Sequence, residues 1–229
     1  MIKELTVMAA LVVPAEWGYD YFDLDKGLVL NHNSVSIDAP YRALNSSNVP
    51  SVIESTNPDI VSFNLVIDKN PTPCCAKFFF YDIPAKVGTN IRVNAYTDLT
   101  VNAKDSKGKS HIATDYVKGS GGCSAPSQWS ETIGPKGRIH INRALSWMTT
   151  TIFHPNHTGL QYNSLTGSEV PADYIERVEI FINKKKVFYY EGVIGIAENV
   201  YFSLPIQSFG KSITVNAYDN SGKVYTLND

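Results

Sequence analysis

One stretch of this chain is written twice. Thr100-Val101-Asn102-Ala103-Lys104-Asp105-Ser106-Lys107-Gly108-Lys109 recurs as Thr214-Val215-Asn216-Ala217-Tyr218-Asp219-Asn220-Ser221-Gly222-Lys223, with seven of the ten positions identical. Each copy reads as a strand running into an Asp-x-x-Gly hairpin turn, where Asp bonds its own backbone and Gly takes the left-handed conformation. Such an echo, one copy in each half, implies two related β-sandwich domains in tandem. A rival register pairs Ile91-Arg92-Val93-Asn94-Ala95-Tyr96 with Ile213-Thr214-Val215-Asn216-Ala217-Tyr218.

The rest of the chain agrees with strands. Alternating apolar and polar residues run through residues 61–66, 90–96, 99–103, 177–181, 200–204 and 213–218. Asn183-Lys184 separates residues 177–182 from Val187-Phe188-Tyr189-Tyr190, as in a hairpin. Short helical candidates occur only at residues 16–23 and near Pro171-Ala172-Asp173-Tyr174-Ile175. The fold class is therefore all-β. Apolar residues make up 43% of the 229 and charged residues 18%, which excludes a disordered chain. A net charge of −2 leaves no basic excess for nucleic acid. No apolar run is long enough for a transmembrane helix.

Residues 1–15 form a short signal-peptide-like segment, with Lys3 before an apolar run that ends at Val13-Pro14-Ala15. A sandwich then spans residues 16–118, a small-residue arm residues 119–130, and a second sandwich residues 131–229. The arm reads Gly119-Ser120-Gly121-Gly122-Cys123-Ser124-Ala125-Pro126-Ser127-Gln128, nearly chargeless, as flexible linkers are.

Cys123 is the most informative residue in it. Gly119, Gly121 and Gly122 precede it and Ser124, Ala125 and Pro126 follow, so no bulky neighbour shields the sulfur. Glycines let the backbone extend away from the fold. A nucleophilic enzyme cysteine needs a rigid base and oxyanion site, and a glycine tether is the opposite. The pattern favours a thiol that is acted upon, in a protein that is not itself an enzyme.

At these residues the chain resembles the fused SoxYZ-like sulfur carriers, including those named for association with quinoprotein dehydrogenases. The first half is similar to SoxY in Ala39-Pro40-Tyr41-Arg42-Ala43, Val49-Pro50, Asn70-Pro71-Thr72-Pro73, Ile91-Arg92-Val93 and Gly121-Gly122-Cys123-Ser124-Ala125-Pro126. The second is similar to SoxZ in His154-Pro155-Asn156-His157-Thr158-Gly159-Leu160-Gln161, Val170-Pro171-Ala172-Asp173-Tyr174-Ile175 and the closing Thr214-to-Gly222 segment. The resemblance implies two tandem immunoglobulin-like β-sandwiches. It also implies that Cys123 carries oxidised sulfur intermediates covalently. Implied partners are periplasmic sulfur-oxidation or quinoprotein dehydrogenase-type enzymes and cytochromes, with a periplasmic location and no cofactor. A SoxY chain ends just after its Gly-Gly-Cys-Gly tail. Here the arm is tethered at both ends, and a loop reaches less far than a tail.

His154 and His157 are candidates to assist Cys123 ionisation across the domain junction. They could also form a metal pair with Cys123, but Pro155 disfavours helical spacing and no carboxylate is near in sequence, so no metal site is assigned. Cys74 and Cys75, adjacent on a strand, should face opposite sides, and either could pair with Cys123. Two readings compete with the carrier: a non-catalytic immunoglobulin-like accessory module of a periplasmic dehydrogenase system, and a metal or redox shuttle using Cys123, His154 and His157.

Overall fold

The computed structural model describes residues 34–129 and 134–229. The signal-peptide-like residues 1–15 and the helical candidate at 16–23 lie outside the described residues. In the first half run β1 (Val35–Asp38), β2 (Val49–Ser55), β3 (Ile60–Ile67), β4 (Cys74–Phe80), β5 (Lys86–Ile91), β6 (Thr97–Asp105) and β7 (Ser110–Val117). In the second run β8 (Ile139–Arg143), β9 (Met148–Ile152), the short pair β10 (Tyr162–Asn163) and β11 (Ser168–Glu169), β12 (Ile175–Ile182), β13 (Lys185–Gly192), β14 (Val200–Leu204), β15 (Ile213–Asp219) and β16 (Val224–Asn228).

Each half is a three-on-four sandwich of the same topology. In the first, β1-β2-β5 faces β4-β3-β6-β7; in the second, β8-β9-β14 faces β13-β12-β15-β16. The written-twice segment occupies equivalent strands, β6 and β15. Asn64 pairs with Asn102 as Glu179 pairs with Asn216, and both strand pairs carry a register shift at the same place, after Ile60 and after Ile175. The Thr100/Thr214 register is thus the structural one. The rival fails because the strand ends at Ile91 and residues 92–96 leave the sheet.

The matching turns are built alike. Asp105 Oδ1 accepts N–H bonds from Lys107 and Lys109, and Asp219 Oδ1 accepts them from Ser221 and Lys223. Gly108 and Gly222 close the turns at φ 80° and 85°, where a side chain would be strained. The Lys109 N–H and the His111 ring hold the Asp105 carboxyl below its usual range. Burial alone would raise Asp219, but bonds from Ser221, Lys223 and Tyr225 outweigh it and lower the carboxyl.

The halves are not beads on a string. β4 pairs antiparallel with β13, from Phe80↔Phe188 to Ala76↔Gly192, and β5 meets β14 at Gly88↔Ser203. The result is one eight-stranded sheet packed on one six-stranded sheet. Phe78, fully buried at this seam, has ring-centroid distances of 5.7 Å to Tyr190 and 6.3 Å to both Phe188 and Phe202, all from the second half.

Two local expectations are corrected. Pro171–Ile175 is extended rather than helical; Asp173 instead exchanges both backbone bonds with His157, which uses the N–H a helix would need. Among the described residues there is no helix. The arm, read as a flexible linker, is folded against both halves.

Because one hydrophobic cluster contains residues of both halves, urea should unfold the protein in a single transition. Phe78→Ala should lower its stability by about 3–5 kcal/mol, the usual cost of truncating a buried Phe. Two separate transitions in the wild type would contradict a shared core.

Candidate functional site

The arm leaves β7 and settles between a loop of the first half and a loop of the second. Gly121 N–H donates to Asn94 O at 2.8 Å and Gly122 N–H to Val93 O at 3.0 Å. Ser120 N–H donates to Ser46 Oγ. Glycine is required here: a Cβ on Gly122 would stand 2.0 Å from Ser46 O and 2.6 Å from Val93 O. Gly121 sits at φ 71°, and Ala125 N–H reaches back to Gly121 O, so residues 121–125 form a tight turn.

The second half holds the arm by its carbonyls. Thr158 Oγ1 donates to Cys123 O at 2.6 Å and Gln161 Nε2 to Ala125 O at 3.0 Å. Gln161 Oε1 accepts the Thr158 N–H, which fixes both side chains relative to each other. Further along, Glu198 Oε2 accepts bonds from Ser127 Oγ, Gln128 N–H and Trp129 N–H. The His154-to-Gln161 segment is therefore a cradle. Its bend is made by Asn156, at φ 45°, a conformation Asn tolerates. The Asn156 amide is buried and fully used, donating to Ile196 O and Ala197 O and accepting from Ile175 N–H.

Arg92 ties the two sides together. Its Nη1 donates to Gly122 O at 3.1 Å and its Nη2 to Asn156 O at 3.2 Å, one acceptor from each half. The side chain is 1% exposed. Its backbone is pinned as well, N–H to Gly195 O and C=O to the buried Asn70 amide.

The structure places the Cys123 thiol inside, at 0% exposure. This differs from the expectation of an unshielded sulfur. Burial pushes the thiol up to about 11, partly offset by the positive charge of Arg92. At neutral pH the docked thiol is protonated and a poor nucleophile. An open cleft of about 490 Å³ runs beside it, lined by Leu44, Ser46, Ser120, Gly122, Ala125 and Gln128, with Leu44 fully exposed at its rim.

The histidines are committed elsewhere. The His157 ring meets Gln161 Oε1 at 3.2 Å, and burial lowers its pKa. His154 is wholly buried; its Nδ1 meets the Asn156 N–H, and its Nε2 lies 3.5 Å from Asp173. Burial pushes it to about 4 despite Asp173 and Asp219, so it is neutral. His154, Asp173 and Asp219 could together hold a metal ion, their ligand atoms lying within 4.8 Å of one another. The Lys136 ammonium already supplies the cation there, 2.7 Å from both Asp173 oxygens and 3.7 Å from Asp219. None of the three cysteines is in a disulfide; Cys75 faces the core and Cys74 is partly exposed, as their adjacency on β4 requires. Burial raises the Cys75 thiol strongly, and Cys123 lies near enough to raise it further.

Sequence reasoning quoted Arg92, Thr158 and Gln161 only as parts of family-like stretches and gave them no role, and it missed Glu198. A cation between two apolar residues, Ile91 and Val93, was the available signal for the first.

With this geometry in view, the comparisons with known proteins divide the chain as the topology does. The family model for sulfur oxidation protein SoxY matches residues 24–123, and that for sulphur oxidation protein SoxZ matches residues 144–228. Among solved structures, the sulfur carrier protein SoxY from Chlorobium limicola f thiosulfatophilum aligns at 24% identity over 38% of this chain and 76% of its own, with a TM-score of 0.35. The fibronectin(III)-like modules of Clostridium thermocellum CbhA align at 13% identity over 85% of this chain and 90% of theirs, with a TM-score of 0.25. No curated protein matches.

The burial of Cys123 has a kinetic signature. A raised thiol pKa favours the docked arm below the ordinary thiol value of 9.0, and this preference is lost as pH rises towards about 11. Opening and ionisation then reinforce each other. The rate of Cys123 alkylation should keep climbing about tenfold per pH unit past pH 9 and level only near 11. In Gly122→Ala, whose Cβ cannot fit the docked arm, the rate should be higher at neutral pH and level near 9. A wild-type profile that levels near 9 would mean the sulfur is open already.

Proposed function

The chain belongs to the SoxY and SoxZ sulfur-oxidation families, carrying a domain of each in tandem, and from that premise we propose that it is a non-enzymatic carrier that holds sulfur intermediates covalently on Cys123. The observation that carries this reading is the position of Cys123. It lies on a glycine turn at the junction of the two domains, held by hydrogen bonds to backbone carbonyls rather than by strands.

Such a hold is releasable. Each bond to a carbonyl contributes about 0.5–1.5 kcal/mol net, rather more for the guanidinium, so undocking costs a few kcal/mol and leaves β7 and β8 in place. Docked, the sulfur is protonated and shielded from stray thiols. Released, it regains an ordinary thiol pKa and can be presented to another protein's site. Loading needs only thiol exchange. The Cys123 thiolate attacks a sulfane sulfur of a polythionate; a new S–S bond forms, the old one breaks, and a sulfur oxyanion leaves with the electron pair. Arm residues Gly119, Gly121, Gly122, Ser124, Ala125 and Pro126 permit the movement. His154 and His157 act indirectly, by building the cradle loop. The partners are periplasmic enzymes and cytochromes of sulfur oxidation or of quinoprotein dehydrogenase type, which puts the carrier in the periplasm.

Cys74 is partly exposed and would compete for the reagent, so the test uses the Cys74→Ser protein. Treated with tetrathionate, it should gain the mass of one S₂O₃ group, which a reductant removes. The added Cys123→Ser change should abolish the gain. An unchanged mass while Cys123 still alkylates would favour an accessory binding module with an incidental thiol.

A further inference from the structure

Arg92 is a buried cation whose charge has no carboxylate partner. Buried charges are normally paired, because desolvating an ion is costly. Yet among the described residues no carboxylate lies within ion-pair distance of the Arg92 guanidinium. Its two bonds go to neutral carbonyls, Gly122 O and Asn156 O, and its Nε–H is buried with no acceptor. Glu198 acts on it from further away and is already committed to Ser127, Gln128 and Trp129. The backbone clamps at Gly195 and Asn70 keep the residue from swinging out to water. The neighbour whose charge can change is Cys123, which follows Gly122, the residue Arg92 grips. Protonated, Cys123 supplies no charge, so the unloaded site lacks an anion.

We propose that Arg92 forms an anion subsite that receives the charged end of the group carried on Cys123 while the arm is docked. The subsite selects adducts ending in a sulfur oxyanion over neutral ones, because a guanidinium presents N–H donors in a planar fork suited to oxyanions. Loading therefore tightens docking: an anionic adduct supplies the missing counter-charge, and a neutral adduct adds bulk without it. This inference rests on the carrier reading above.

The test compares two adducts on the Cys74→Ser protein. Tetrathionate gives the anionic Cys123–S–S–SO₃⁻ and releases thiosulfate. Methyl methanethiosulfonate gives the neutral Cys123–S–S–CH₃ and releases methanesulfinate. Dithiothreitol removes both, and the rate reports how often the arm opens. Arg92→Met loses the grip on Gly122 as well as the charge, so both adducts should be removed faster. The anionic adduct should speed up at least about tenfold more than the neutral one, and Arg92→Lys should restore part of the difference. In the unsubstituted-Arg92 protein the anionic adduct should also melt at a higher temperature than the neutral one, a readout that does not depend on the variants folding. Equal acceleration of the two adducts, or equal melting temperatures, would overturn the subsite and leave the carrier reading standing. Failure of Cys123 to take up the thiosulfonate group would overturn both.

Discussion

Strands at a sheet edge expose unpaired N–H and C=O groups and need a partner. In this chain β4 and β13 satisfy each other, and everything at the candidate site depends on that pairing. It fuses two four-strand layers into one sheet and brings the first half's Ile91-Arg92-Val93 exit beside the second half's Gly195 and Asn156. Only in that register can one arginine bond a carbonyl from each side. The aromatic seam of Phe78, Phe188, Tyr190 and Phe202 keeps the register, since sliding a strand by one residue would turn these rings outward.

The arm follows from this frame. It is short, glycine-bearing and held at the carbonyls of Gly122, Cys123 and Ala125, a hold that buries a thiol without tying it into a strand. Sterics and electrostatics act together on Cys123. Gly122 fits only because it lacks a Cβ, and the enclosure that results raises the thiol pKa. The protein thereby ties the chemical state of one sulfur to the position of five residues. Tethering at both ends limits the reach of the arm, and the open cleft beside Leu44 runs along it.

Much of the fold was legible in the sequence because β-structure writes itself in period two and in Asp-x-x-Gly turns. The repeated segment marked β6 and β15, and with them the two sandwiches. The stretch 92–96 misled because its alternation continues past the end of β5. What stops the strand is a tertiary demand, the docking of Arg92 between the halves, which no local pattern records. Cys123 stood out from its glycines, but the same glycines suggested freedom when here they permit close packing. Composition does not distinguish a glycine that lets the chain wander from one that lets two backbones touch. The cradle residues Thr158, Gln161 and Glu198 were hidden for a related reason. Each acts through one side-chain bond to a distant carbonyl or N–H, which leaves no periodic trace.

The unloaded arm is part of the fold rather than a free tether. Amide hydrogen exchange at Gly121 and Gly122, whose N–H groups donate to Asn94 O and Val93 O, tests it most directly. Exchange should be at least about a hundredfold slower than in an unstructured peptide of the same sequence, governed by transient undocking. Exchange at the free-peptide rate, while the β6 and β7 amides stay protected, would contradict it.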